Sequence, residues 1–112
     1  METWDVRSLQ IEARHPQVLR SDDETRAIAI HLPAGEELQS HQVHERTYLI
    51  VVDGEIEILS DGGTVSGGSG LLGHFAPNER RTIRAVNDAR ILLVLAPWPG
   101  EGHPSRPASS GP

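Results

Sequence analysis

Short apolar stretches separated by turn-forming residues run through this chain and restrict it to an all-β fold. Residues 55–59, Glu-Ile-Glu-Ile-Leu, alternate with period two, which is the pattern of a strand with one buried face. No segment shows the periodicity of a helix longer than a turn or two. The predicted strands are residues 27–32, 48–52, 55–59, 71–75, 82–86 and 91–96.

Turn-forming residues between these strands predict how they connect. Asp53-Gly54 is a strong signal for a two-residue hairpin, because glycine supplies the positive φ that a type I′ turn requires. Asn87-Asp88 links the last two strands. We expect one or two edge strands near residues 6–11 and 17–20. The alternation predicts a buried set of aliphatic residues: Ile28, Ile30, Leu49, Val51, Ile56, Ile58, Ile83, Leu92 and Val94.

The glycine-rich segment 61–70 is predicted to be a hairpin tip or a strand at a sheet edge. A phosphate-binding loop would need a lysine and a following helix, and the segment has neither.

The length of 112 residues fits one domain. We predict a folded domain over residues 1–98 and a flexible tail over 99–112, where proline, glycine and serine leave little to bury. Trp98, at the boundary, is expected to pack on the barrel or on a partner subunit.

Charge and composition exclude several classes of function. The net charge is −6 and the ten basic residues are scattered arginines, which argues against nucleic acid and membrane surfaces as partners. The chain has no cysteine, so disulfides and thiolate metal sites are excluded. No apolar run approaches the length of a membrane span and no secretion signal opens the sequence, so we expect a cytoplasmic protein.

The spacing of residues 35–54 resembles the first motif of the cupin superfamily: Gly, five residues, His-x-His, three or four residues, Glu, six residues, Gly. Gly35, His41 and Gly54 match this frame. Val43 occupies the second histidine position and Thr47 the glutamate position.

Residues 70–85 resemble the second cupin motif, which reads Gly, five residues, Pro-x-Gly, two residues, His, three residues, Asn. Gly70 matches, while Ala76, Asn78, Arg81 and Ala85 stand at the Pro, Gly, His and Asn positions. Asn78 keeps a turn feasible because asparagine tolerates left-handed backbone angles. With the flanking strands, the resemblance extends to about residue 96.

The resemblance implies an all-β, cupin-type antiparallel barrel, also described as a double-stranded β-helix or jelly roll. It implies a barrel mouth that binds a small molecule, and a homodimer formed through edge strands of the N-terminal arm. In metal-binding cupins the two motifs bring three histidines and one glutamate to a divalent ion. That set is incomplete here, because Val43, Thr47 and Arg81 replace three of the four ligands.

A rebuilt metal site remains one interpretation. His41 and His44 would be its ligands, with His74 as a third, and the ion would be iron, manganese, nickel, zinc or copper. The alternative is that these are ordinary surface histidines and that no cofactor binds.

Arg81 suggests a different use for the barrel. A planar guanidinium in place of the family's histidine would suit a carboxylate or a phosphate on a ligand, and a small carboxylate is the predicted class. The other predicted ligand-binding residues are His41, Thr47 and Tyr48. The alternative is a solvated basic edge with Arg80 and Arg84, or an internal pair with Glu45 or Glu79.

Three functions are therefore compatible with the sequence. The first is a small-molecule-binding cupin with a degraded or weak metal site. The second is a metal-dependent enzyme of the dioxygenase or isomerase type that uses His41 and His44, and the third is a non-catalytic structural dimer. The sequence identifies neither the ligand nor a reaction.

Overall fold

A computed structural model describes residues 1–22, 24–40, 44–61 and 63–96 of the chain. It contains nine strands and, within those ranges, no helix, so the all-β prediction is confirmed. The strands are β1 (Gln17–Ser21), β2 (Arg26–Leu32), β3 (Glu37–Ser40), β4 (Arg46–Asp53), β5 (Glu55–Ser60), β6 (Gly63–Gly68), β7 (Leu72–Phe75), β8 (Arg81–Ala85) and β9 (Ala89–Ala96).

The strands form two sheets that face each other. Sheet A has the order β1-β2-β9-β4-β7, and sheet B has the order β3-β8-β5-β6. Every paired strand is antiparallel. Successive strands often lie in different sheets, so the chain crosses between sheets repeatedly, and this is the topology of the predicted jelly roll.

The core fills the space between the inner faces of the two sheets. Six predicted core residues are buried: Ile30, Leu49, Val51, Ile56, Ile58 and Ile83. On β9 the predicted face is wrong, because Ile91 and Leu93 point inward while Leu92 belongs to a separate cluster on the other side of sheet A. Alternation could not identify the inner face there, since both faces of β9 are apolar.

The N-terminal arm explains why the outer face of sheet A is also apolar. Residues 6–11 form turns and irregular backbone, so the edge strand predicted there is wrong, whereas β1 confirms the one predicted near residues 17–20. Val6 and Ile11 pack with Ala29 on the outer face of the sheet. The Arg90 guanidinium donates to the Val6 and Leu9 carbonyls, which fixes the arm in place.

The Asp53-Gly54 hairpin predicted from sequence is also wrong. β4 belongs to sheet A and β5 to sheet B, so the two residues carry the chain from one sheet to the other. Gly54 does have the predicted positive φ, at 82°. The prediction of a tight turn is confirmed, whereas the predicted pairing of the two strands that flank the turn is wrong.

The glycine-rich segment is an edge strand, as predicted. Among the described residues, β6 pairs with β5 and has no second neighbour in sheet B. Trp98 and the predicted tail lie outside the described residues. Across the described ranges, no helix is long and apolar enough to cross a membrane.

Candidate functional site

One end of the sandwich interior is polar, whereas the layers below it are aliphatic. On β4, Thr47 faces inward above Leu49 and Val51, and on β8 Arg81 stands above Ile83. Register places Ser60 of β5 opposite Arg81 in the same layer. Side chains two residues apart on a strand share a face, so strand geometry alone stacks a polar layer on an apolar core.

Arg81 is the centre of this polar layer. Its side chain is 5% exposed, and its Nε and Nη1 atoms are inaccessible to solvent. Nη2 donates to Thr47 Oγ1 at 3.3 Å, and Thr47 is itself 0% exposed. The guanidinium carbon lies 4.6 Å from the centre of the Phe75 ring, a cation–π distance. The solvated basic edge is therefore excluded for Arg81, although Arg80 and Arg84 are exposed.

Burial weakens the preference of Arg81 for its charged form. Loss of hydration lowers the pKa of the Arg81 guanidinium from its ordinary value, and the negative charge of Glu79 opposes this effect. Arginine nevertheless stays protonated in proteins. The barrel interior therefore contains a permanent positive charge that an anion would stabilise.

A tight turn before β8 aims Arg81 inward. Asn78 has φ of 67°, so it adopts the left-handed conformation expected for the residue at the family's glycine position. The Ala76 amide donates to Glu79 Oε1, and the Glu79 amide donates to the Ala76 carbonyl. These bonds close residues 76–79 into a turn and hold the Glu79 carboxylate near the start of β8.

His44 lies in the connection before β4, at the same end of the sandwich. Its Nδ1 donates to Asn78 Oδ1 at 3.1 Å, which ties this connection to the turn before β8. His44 is exposed, and its observed contact is to an amide oxygen.

Two other predicted site residues lie on the opposite side of sheet A. Tyr48 and His74 are paired in register on β4 and β7, and their rings are 5.0 Å apart. Both side chains are exposed, because neighbouring residues of a strand face opposite sides of the sheet. Thr47, which precedes Tyr48, and Phe75, which follows His74, are the residues that face inward. The structure therefore separates Tyr48 and His74 from Arg81 and Thr47.

The metal-ligand set of metal-binding cupins does not fit the described residues. Its glutamate and one histidine correspond to Thr47 and Arg81, which touch each other, and a guanidinium at that place would repel a cation. Within the described ranges, no three His, Cys, Asp or Glu side chains are grouped so that they could hold an ion. His41, the first predicted ligand, lies outside those ranges, so its role stays a prediction.

Two neighbours of Arg81 were not predicted from sequence as site residues. Phe75, the single phenylalanine of the chain, lies under the guanidinium, and Ser60 lies opposite Arg81. Both have an inward position by alternation, Phe75 at the end of β7 and Ser60 two residues after Ile58. Ser60 could have been found from the sequence, because it is a polar residue at the end of a strand face that is otherwise apolar.

Comparison with known proteins gives matches at the level of structure. No family model matches the sequence, and no curated protein matches it. An RmlC-like cupin from Desulfovibrio desulfuricans is 20% identical, with a TM-score of 0.74 over 86% of this chain and 96% of that one.

Two further solved structures agree. An RmlC-like cupin with a double-stranded β-helix fold from Methanocaldococcus jannaschii is 22% identical, with a TM-score of 0.69 over 88% of this chain and 90% of that one. A cupin superfamily protein from Desulfitobacterium hafniense is 12% identical, with a TM-score of 0.73 over 81% of this chain and 85% of that one. The chain is therefore a small single-domain protein with the cupin fold.

Proposed function

We propose that this chain is a small-molecule-binding cupin whose ligand is a small carboxylate held at Arg81. The observation that carries the proposal is the position of the guanidinium. It is buried on the inner face of sheet B, and the spacing of the second cupin motif aligns it with a metal-ligating histidine of metal-binding cupins. A fixed positive charge thus stands where those proteins have a metal ion and its substrate.

Electrostatics favours an anion at this place. A buried cation is costly in a low-dielectric interior, and an opposite charge in contact with it recovers part of that cost. A carboxylate matches the guanidinium fork and forms charge-assisted hydrogen bonds that are stronger than neutral ones. The Thr47 hydroxyl oxygen accepts from Arg81 Nη2, so its hydrogen would be the donor of a second hydrogen bond to such a ligand.

The surroundings of Arg81 favour a compact organic anion. Phe75 stacks on the guanidinium and Leu95 is opposite Thr47 on the inner face, so apolar surface borders the charge. A hydrocarbon portion on the ligand would contact these side chains and contribute through burial of apolar area.

Calorimetric titration with a panel of small carboxylates tests the proposal. Wild type and Arg81→Gln are compared, with Arg84→Gln as the matched control, since Arg84 is on the same strand but exposed on the outer face. Loss of a hydrogen bond to a charged group costs about 1.5–3 kcal/mol, so Arg81→Gln should weaken binding about 10- to 150-fold.

Arg84→Gln should bind as wild type does. Arg81→Lys should fall between wild type and Arg81→Gln, because lysine keeps the charge but loses the planar fork. Thr47→Val, which removes only the hydroxyl, should weaken binding by a smaller factor than Arg81→Gln. Equal affinity in wild type and Arg81→Gln would contradict the proposal.

The other two hypotheses from the sequence remain alternatives. A metal-dependent dioxygenase or isomerase would have to use His41 with His44, and His44 is directed at Asn78. A purely structural dimer would give no reason for a buried arginine in the barrel. The cytoplasmic location also stays a prediction.

A further inference from the structure

The β6 strand is the longest and most regular edge strand in the part of the chain that the structure describes. It has six residues in unbroken register with β5, and its first four residues are exposed. The other edge strands are less suited to pairing. β1 has five residues and a bulge, while β3 and β7 have four residues each. Proteins usually protect an edge with charge, proline or a bulge, and β6 has none of these.

The direction of the free backbone groups on β6 follows from hydrogen bonds elsewhere in the sheet. The Glu55 carbonyl accepts from the Val86 amide, on the β8 side of β5. Because antiparallel strands alternate, Glu57 and Leu59 also direct their backbone groups toward β8. Their partners on β6 are Ser66 and Thr64.

Thr64 and Ser66 therefore turn their N–H and C=O groups away from β5, toward the open side of sheet B. Within the described ranges, these four groups have no backbone partner. Val65, between them, faces the inner side of the sheet beside Ile58 and is 53% exposed. The edge thus combines two free donors, two free acceptors and an exposed aliphatic side chain.

We propose that β6 pairs with β6 of a second copy of this chain, forming a two-fold symmetric, antiparallel sheet of eight strands. Thr64 of one copy lies opposite Ser66 of the other, and Val65 meets its own equivalent at the symmetry axis. This register matches the free groups of Thr64 with those of Ser66 and gives four backbone hydrogen bonds. It also buries the two Val65 side chains against each other, as in a non-hydrogen-bonded cross-strand pair.

Charge favours a second copy as the occupant of this edge. The chain has a net charge of −6, yet no residue of β6 is charged, so the two strands meet without opposed like charges. Asp61 precedes β6 and lies four residues from Val65 at the symmetry axis. The two copies of Asp61 are therefore eight residues apart along the paired strands, or about 26 Å at about 3.3 Å per residue. That separation exceeds the Debye length of about 8 Å at physiological salt, so their repulsion is screened.

The Thr-Val-Ser sequence centred on Val65 is also nearly self-complementary. Each small hydroxyl side chain faces the other type across the interface on the outer side of the sheet, and Thr–Ser cross-strand pairs are favourable. Residues 6–11 of the N-terminal arm pack on sheet A of their own chain, and a dimer contact through the edge strands of that arm stays the alternative prediction.

Sedimentation velocity over a dilution series tests the pairing and its register. Wild type should sediment as a dimer that dissociates on dilution. Thr64→Lys with Ser66→Lys places lysine opposite lysine twice, and the dissociation constant should rise about 30-fold or more. Thr64→Lys with Ser66→Glu is the matched control, because it places lysine opposite glutamate and should leave the dimer intact.

Ser66→Pro removes an outward N–H while keeping the pairing to β5, so it should also weaken the dimer. Circular dichroism and thermal melting of each variant confirm that the monomer is folded. A wild type that remains monomeric throughout the series would overturn the proposal. Dissociation of the variant with Thr64→Lys and Ser66→Glu would show a different register and would also overturn the proposal. An unchanged dissociation constant in the variant with two lysines would overturn it too.

Discussion

Gly35 and Gly54 offer a matched test of why the glycine frame of this fold is kept. Both have φ of 82°, and both stand at frame positions of the first motif. Their surroundings differ. A Cβ on Gly35 would meet nothing within 4 Å, whereas one on Gly54 would lie 2.2 Å from the Asp88 carbonyl oxygen and 2.7 Å from the Ala89 Cα. Replacing each with alanine therefore separates backbone strain from steric contact.

The expected cost of Gly35→Ala is small. A left-handed backbone costs a non-glycine residue about 1–2 kcal/mol, and the lower entropy of the unfolded alanine chain returns about 0.4–1 kcal/mol. The net loss is about 1 kcal/mol. Gly70→Ala, with φ of 96° and equally open surroundings, should behave in the same way.

Gly54→Ala carries the same backbone cost plus a clash with backbone that cannot rotate away. The new methyl group must push apart the crossing of β4 into β5 and the link between β8 and β9. Overpacking of this kind costs about 1–3 kcal/mol, and the short contact distance indicates the upper end of that range. We expect a total of about 4 kcal/mol, a large fraction of the stability of a small domain.

Thermal and urea unfolding followed by circular dichroism provide the assay. At about 5 °C per kcal/mol for a domain of this size, Tm should fall by about 5 °C in Gly35→Ala and about 20 °C in Gly54→Ala. The urea m-value should be the same in both variants if only the native state is affected. Equal Tm values for the two variants would refute the steric argument and leave backbone strain as the sole reason for the frame.

Thr47→Glu with Arg81→His and Val43→His restores the family's ligand types at its frame positions, so divalent-metal affinity measured by calorimetry should rise; an unchanged affinity would contradict the alignment. Hydrogen bonds from the backbone amides of Glu24 and Thr25 lower the pKa of Asp22 in the folded protein. The Asp22 carboxylate therefore stabilises the fold at pH values above its unfolded pKa of about 4. This stabilisation is lost as the pH falls through the lower pKa of the folded state. Asp22→Asn should therefore flatten the acid limb of the stability curve, and an identical limb would refute this. Arg14 has φ of 66°, so Arg14→Gly should leave stability unchanged or raise it by up to about 1 kcal/mol; a clear fall in Tm would contradict that.

Sequence patterns identified most of the strands but misassigned some of their partners. Alternation located β2, β4, β5, β7, β8 and β9 to within a few residues. It missed β3, whose Glu-Leu-Gln-Ser contains a single apolar residue, and it assigned a strand to residues 6–11, which pack without pairing. Which strands pair within each sheet depends on the topology of the whole chain. A local turn signal such as Asp53-Gly54 does not encode that choice of partner.

The spacing of the cupin motifs predicted part of the candidate site. Other predicted site residues conflict with the alternation of side chains along a strand. The frame placed Thr47 and Arg81 at positions that converge in metal-binding cupins, and they are in contact here. Tyr48 was grouped with Thr47, although neighbours on a strand face opposite sides, and the structure places it outside. His74 fails for the same reason, because Phe75 beside it faces inward. Strict use of alternation would have corrected both residues.

Nuclear magnetic resonance of the arginine side chains can show whether the buried Arg81 guanidinium binds a small anion. The chain has ten arginines and no lysine, and Arg81→Lys assigns the Nε–H signal of Arg81 by its disappearance. On titration with a small carboxylate that binds by calorimetry, we expect a saturable shift of the Arg81 signal, while the other nine arginine signals stay in place. An unmoved Arg81 signal at saturation, or equal shifts of the exposed arginines, would contradict it.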